Sequence, residues 1–287
     1  MNKIDFAFQY DKSKSRYIDK IPGNIEIEQL LPQKREILSN VKSAHGIVEK
    51  YDYSLHSERF MLKVSGYKNS YYNPEVELIV NKIFRLIGIP VPDFCMTIVT
   101  ENKINRQRVA FVQKDFIEEN RVERLSHLNS FITSQDQYTV DNISKVIQDK
   151  SSAQREDLRL FAKMMLADAI VGNSDRHWRN IAMIKNKAGF RLSPMFDNDS
   201  FALIYPSDPN PELEGTITVP NGNNNLIDTA NRLNKLGYNS ALKDLTSAID
   251  DNKIKEIIHN SLLLQEEITI LDNYISMQLT TLRGLCE

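Results

Sequence analysis

The chain has 287 residues, 41% hydrophobic and 26% charged, a balance that suits a globular protein able to bury a substantial core in one or two domains. A formal net charge of −2 supplies no global field to recruit nucleic acid or an anionic membrane, so no direct nucleic-acid binding is expected. No apolar run approaches the roughly 20 residues of a spanning helix, and the first residues, MNKIDFAFQYDKSKSRYIDK, lack the apolar stretch of a secretory leader; a soluble, cytoplasmic protein is expected.

In chain order, Phe60-Met61-Leu62-Lys63-Val64 reads as a buried strand interrupted by one lysine. After the polar loop SGYKNSYY, Asn73 suits an N-cap, Pro74 the first helical position, and Glu75 and Glu77 the first turn. Val76, Ile79, Val80, Ile83, Phe84 and Ile87 then recur at helical spacing until Gly88 stops the helix, and Pro90 and Pro92 prevent its restart. The next strands are predicted at Thr97–Thr100 and Arg108–Gln113, joined by the turn ENKIN. Cys95 and Cys286 match no metal spacing and read as free thiols.

Beyond residue 117 the texture becomes helical. An amphipathic helix is predicted over 156–171, short strands at Ile181–Ile184 and Phe190–Leu192 around the turn KNKAG, a surface loop over 206–225, and a last helix over 262–283. A strand-rich part followed by a larger helical one predicts an α+β protein of two lobes, residues 1–116 and 117–287.

The chemistry concentrates in VGNSDRHWRNIAMIKNKAGFRLSPMFDNDS, residues 171–200. Asp175 and Asn180 stand in the D-x-x-x-x-N relation of protein-kinase catalytic loops, and Asp197 is read as ending a strand over 192–196. Phosphoryl transfer gives each residue type a use. One carboxylate accepts a hydroxyl proton, while a neutral oxygen and a second carboxylate hold Mg²⁺ against the phosphates. Asp175 fits the first role, Asn180 and Asp197 the second. The spacing alone arises by chance about once in a chain of this length, so its weight comes from context: a helix before it, a hairpin after it, and Lys63 upstream.

Asn173-x-Asp175-x-His177-x-x-Asn180, followed by Leu192-x-Pro194-x-Phe196-Asp197, resembles the HipA-like serine/threonine kinases of bacterial toxin–antitoxin systems. Ser43-x-x-Gly46-x-x-x-Lys50 is similar to the phosphate-binding loop of that family, and the resemblance covers about residues 38–205. The chain lacks room for the extra N-terminal subdomain of the longest members and looks more like the short HipT and CtkA type. The resemblance implies a two-lobed protein-kinase-like fold, ATP and Mg²⁺ as cofactors, a protein substrate phosphorylated on Ser or Thr, an antitoxin-like partner, and a role as toxin or effector. It also implies that Lys63 contacts the nucleotide phosphates with Glu75 or Glu77 orienting it. By the same likeness, Gly46 and Lys50 cover the phosphates, Phe111–Phe116 line the adenine with Lys114 offering backbone hydrogen bonds, and Ser43 is an autophosphorylation site. His177 and Arg179 complete the nucleotide side of the catalytic loop.

Each of these residues also has a plain structural reading. Lys63 alone would be an edge-strand lysine, Glu75 and Glu77 first-turn acids, and His177 a brace for its own loop. Trp178 reads as packing, Arg176 as a surface charge, and Asp199 as a solvated loop acid. Two other functions fit the same motif. One is a phosphoinositide-type lipid kinase, against which stands the lack of any Lys or Arg over 198–231. The other is an inactive kinase-like binding module, against which stand the retained Lys63, Asp175, Asn180 and Asp197.

Overall fold

The computed structural model describes residues 23–32, 48–65, 73–117, 124–204, 213–219 and 224–285. Ser43, Gly46 and Cys286 lie outside them. The chain divides into two compact units, one drawn from residues 1–81 and 92–116, the other from 82–91 and 117–287.

The first unit is built on a six-stranded sheet: β1 (Asn24–Glu26), β2 (Leu31–Pro32), β3 (Glu49–Leu55), β4 (Glu58–Val64), β5 (Phe94–Glu101) and β6 (Arg106–Lys114), in the order β1-β5-β6-β4-β3-β2. All pairs are antiparallel except β1 with β5. The alternation of side chains along each strand gives the sheet two different faces. One carries Ile25, Tyr51, Phe60, Leu62, Val64, Cys95, Val99, Ala110 and Val112, which with Leu30 form a single apolar cluster. The other carries Met61, Lys63, Phe94, Met96, Phe111 and Gln113, as the pairings Lys63 with Phe111 and Met61 with Gln113 require.

Lys63 is therefore not on an edge. Its strand runs between β3 and β6, and the residue is buried. Buried Arg108 ties the ends of three strands by ion pairs to Glu49, the first residue of β3, and to Glu101, the last of β5. The helix α1 (Pro74–Leu86) starts where the sequence places it: Asn73 Oδ1 accepts the Glu75 amide at 3.0 Å, a side-chain cap on an otherwise orphaned donor.

The second unit is mainly helical, with α2 (Val140–Lys150), α3 (Gln154–Val171), α4 (Leu226–Leu233), α5 (Asn239–Ala248), α6 (Asp251–His259) and α7 (Gln265–Gly284). A three-stranded sheet accompanies them: β7 (Arg124–His127), β8 (Ala182–Asn186) and β9 (Gly189–Leu192), in that order. The helix α3 sits at the centre and touches α2, α4, α5 and α7, so its second half from Phe161 to Val171 is buried almost without break rather than along one stripe. Near its start, buried Asp157 accepts the Ser151 hydroxyl at 2.6 Å and the Leu192 amide at 2.8 Å, pinning the end of β9 to the helix.

The C-terminus of α3 is set by Gly172, at φ +73°. Only glycine adopts that left-handed cap at no steric cost. A Cβ there would also lie 2.8 Å from both Leu213 Cδ1 and Tyr274 Cε1. Glycine is therefore the residue that lets the chain turn from helix into catalytic-loop candidate here without strain.

No helix among the described residues is long and apolar enough to cross a membrane.

Candidate active site

From Gly172 the chain enters a loop that is held by its own polar groups. Asn173 Oδ1 accepts the Asp175 amide at 3.3 Å, the His177 amide donates to the Asp175 carbonyl at 2.9 Å, and the Asn180 amide donates to the His177 carbonyl at 2.8 Å. His177 Nδ1 accepts the Arg179 amide at 3.2 Å, so this histidine braces the loop. Asn180 Nδ2 donates to the Asp175 carbonyl at 2.8 Å, which joins the first and last residues of the D-x-x-x-x-N run. With its amino group turned to the Asp175 carbonyl, Asn180 presents its Oδ1 to another partner. Trp178 meets Tyr138 edge-on at 6.2 Å and serves packing.

Arg176 is buried at 2% exposure and carries the loop's main attachment. Nε and Nη2 grip both oxygens of Asp168 at 2.8 and 2.9 Å. Nη2 also donates to Asn198 Oδ1 at 2.8 Å, and Nη1 to the carbonyls of Phe196 at 2.7 Å and Asn180 at 3.2 Å. All five donors of the fork are thus used. Asn173 Nδ2 adds a third contact to Asp168 at 2.9 Å. Burial pushes the Asp168 carboxyl above its ordinary value, against the pull of Arg176 and Asn173. One guanidinium therefore reaches the end of the loop and the residues on both sides of Asp197.

Asp197 itself does not end a strand. β9 stops at Leu192, and the stretch 193–196 is held instead by single bonds, Ser193 amide to Ala182 carbonyl at 3.0 Å and Met195 amide to Pro90 carbonyl at 2.8 Å. Asp197 then takes φ +51°, a left-handed conformation that Asp and Asn tolerate better than other residues with a side chain.

In the first unit, Lys63 Nζ bonds Glu77 Oε1 at 2.6 Å, with both side chains buried. This resolves the choice between the two acids of the first helical turn in favour of Glu77. Lys50 lies directly across from Lys63 in the β3–β4 register. Phe94 and Phe111 stack on the same face at 6.0 Å. Lys114 donates its amide to the Asp93 carbonyl at 2.8 Å and its ammonium to Glu58 at 2.6 Å, which leaves its carbonyl as the backbone group for a ligand. Phe116, half-buried, follows Asp115, whose amide bonds the Arg59 carbonyl at 2.9 Å.

The family model for the HipA-like C-terminal domain matches residues 42–262, a span that takes in β3 to β6 of the six-stranded sheet, the loop and Asp197. The chain belongs to this HipA-like family. Its fold is similar to that of the Helicobacter pylori proinflammatory kinase CtkA, at a TM-score of 0.68 and 18% identity over 92% of this chain and 96% of that one. It is also similar to the Shewanella oneidensis MR-1 toxin HipA, solved with HipB and operator DNA, at a TM-score of 0.55 and 15% identity over 90% of this chain and 71% of that one. Among curated proteins, none matches in sequence. Family and fold together mark the HipA-like chain as kinase-like, with a strand-rich part and a helical part.

Three residues of this HipA-like chain correct or extend the sequence reading. Arg176 is no surface charge but, among the described residues, the largest fully buried side chain; the signal lay in Asp168, an acid on what is otherwise the apolar end of a helix. Asp199 is buried rather than solvated. His127, which no motif marks, hydrogen-bonds the Arg179 backbone, packs edge-on against Phe196 at 6.0 Å, and lies close enough to Asp197 to feel its charge.

The donor set suits a hard cation. Asn180 Oδ1 and the Asp197 carboxylate would offer oxygens of the kind Mg²⁺ selects. Among the described residues no group of three His, Cys, Asp or Glu could hold a metal unaided. A cation at this point would draw its remaining ligands from phosphate and water, as Mg²⁺ commonly does.

Proposed function

We propose that the chain is an ATP-dependent serine/threonine protein kinase. It would transfer the γ-phosphate to a protein hydroxyl and to itself, acting as a toxin or effector with an antitoxin-like partner. The observation that carries this reading is the Lys63–Glu77 pair. A lysine buried inside a sheet and salt-bridged to a helix glutamate gains little stability, because desolvating two charges offsets most of their attraction. Its use is to present a fixed cation, and a strand lysine paired with a helix glutamate is the device by which protein kinases hold the nucleotide phosphates.

In this reading Asp175 accepts the proton of the attacking hydroxyl. It stands on a loop whose backbone is held on both sides, so the carboxylate is positioned before substrate arrives. Asn180 and Asp197 would hold Mg²⁺, which when bound supplies charge neutralisation at the transferred phosphoryl group. Arg176 keeps the peptide groups around these ligands in place. Lys50 and Lys63, opposed across two strands, supply positive charge for the phosphates.

The test is transfer of γ-labelled phosphate from Mg-ATP by purified protein, alongside Asp175→Asn and Asp197→Asn. Label on the protein or on a protein substrate, lost in both variants, is the expected result. Label on lipid would move the assignment to a lipid kinase. Nucleotide binding without any transfer would make the chain an inactive kinase-like module.

A further inference from the structure

Gln113 stands on the same face of the sheet as Lys63. Lys63 pairs with Phe111, and Gln113 follows one strand period later, opposite Met61 and Phe94. It is 5% exposed, and its Oε1, shielded from solvent, accepts no hydrogen bond among the described residues. Its register neighbours Met61 and Phe94 are apolar, and Phe111 stacks on Phe94 beside it. A leucine or methionine would fill such a place without cost, whereas a buried amide oxygen without a donor is a liability that native proteins rarely carry unexplained.

The neighbouring backbone narrows what the amide is for. The amides of Lys114 and Asp115 are already given to Asp93 and Arg59, so the end of β6 has few polar groups left to distinguish one base from another. Resting on the ATP reading above, we propose that Gln113 reads the 6-amino group of adenine, its Oε1 accepting one of the two amino hydrogens. A carboxamide suits this because its acceptor and donor lie side by side, matching the adjacent amino group and N7 of adenine. Guanine presents two acceptors at the same positions, O6 and N7, and leaves Oε1 orphaned. Gln113 would then set the base preference of the site, while Lys63 holds the phosphates without regard to the base.

The test needs no variant in its first step. Dissociation constants of wild-type protein are measured with Mg²⁺ for ATP, GTP and purine riboside triphosphate, which lacks the 6-amino group. ATP is expected to bind about tenfold tighter than the 6-unsubstituted analogue, the size of effect that one satisfied buried acceptor gives. In Gln113→Leu and the more flexible Gln113→Met, ATP should weaken to the level of the analogue. Analogue binding should hold, and melting temperature should stay level or rise. Equal binding of ATP and the analogue by wild type, or an unchanged ratio in folded variants, overturns the inference while leaving the kinase reading intact. Wild-type protein that binds none of the three triphosphates overturns both.

Discussion

Replacing Arg176 by methionine tests the structural account of the loop most directly. The substitution removes one charge from a buried pair and leaves Asp168, at 0% exposure, with Asn173 as its remaining side-chain donor. Breaking such a pair from one side costs about 3–5 kcal/mol, because the surviving charge stays desolvated. The carbonyls of Phe196 and Asn180 lose their donor in the same step, so the upper end of that range applies. For a protein of this size a loss near 5 kcal/mol corresponds to a fall of roughly 10–20 °C in melting temperature. Urea unfolding followed by far-UV circular dichroism measures it. The companion variant Asp168→Leu/Arg176→Met removes both charges and should recover part of the stability, since an apolar replacement of a whole buried pair is close to neutral. Phosphoryl transfer should stay lost in the double variant, because the loop carbonyls remain untied. A single variant that costs less than about 1 kcal/mol, or a double variant less stable than the single, would refute the argument.

Two further outcomes follow from the same unit. Gly172→Ala should cost about 2–3 kcal/mol in urea unfolding: a left-handed residue gains a Cβ at roughly 1–2 kcal/mol, and that atom meets Leu213 and Tyr274 at 2.8 Å. A loss below about 0.5 kcal/mol would show that the helix end can shift. Burial holds the His127 imidazole below its ordinary value of 6.5, although the Arg179 carbonyl and the Asp197 charge draw it back up. The folded state therefore binds the proton less readily than the unfolded chain. The associated stability is complete above pH 6.5 and is lost as pH falls through the lower folded value. Urea midpoints between pH 5 and 7.5 should decline toward acid in wild type and decline less in His127→Phe; parallel curves would exclude His127 as the cause.

The sequence made β4, β5, β6, β8 and β9, the helices α1, α3 and α7 and the catalytic-loop candidate legible because each rests on a local pattern, whereas β1, β2, β3 and β7 were not placed. Short apolar runs, the Asn73-Pro74 start of α1 and the glycine after α3 are all decided within a few residues. What was not legible depends on long-range contact. Arg176 and Asp199 look like ordinary surface charges until the chain segments around them close, and a charged residue carries no mark of its own burial. Glu75 and Glu77 differ only by two positions on a helix, so only the sheet beneath decides that Glu77 meets Lys63. Asp197 was placed at a strand end because its neighbours are apolar and extended, whereas β9 had already run out of partners at Leu192.

The left-handed backbone of Asp197 limits how this site can be lost. A carboxylate on an ordinary strand can drift to almost any residue once selection relaxes. At φ +51° the inexpensive exits are asparagine and glycine, since other side chains crowd the carbonyl that follows. Degenerate descendants of this chain should therefore keep the turn and lose only the charge, and would look, in outline, like working enzymes. For the experimenter the same constraint makes Asp197→Asn the fair negative control. Asp197→Ala would confound a missing carboxylate with a strained turn.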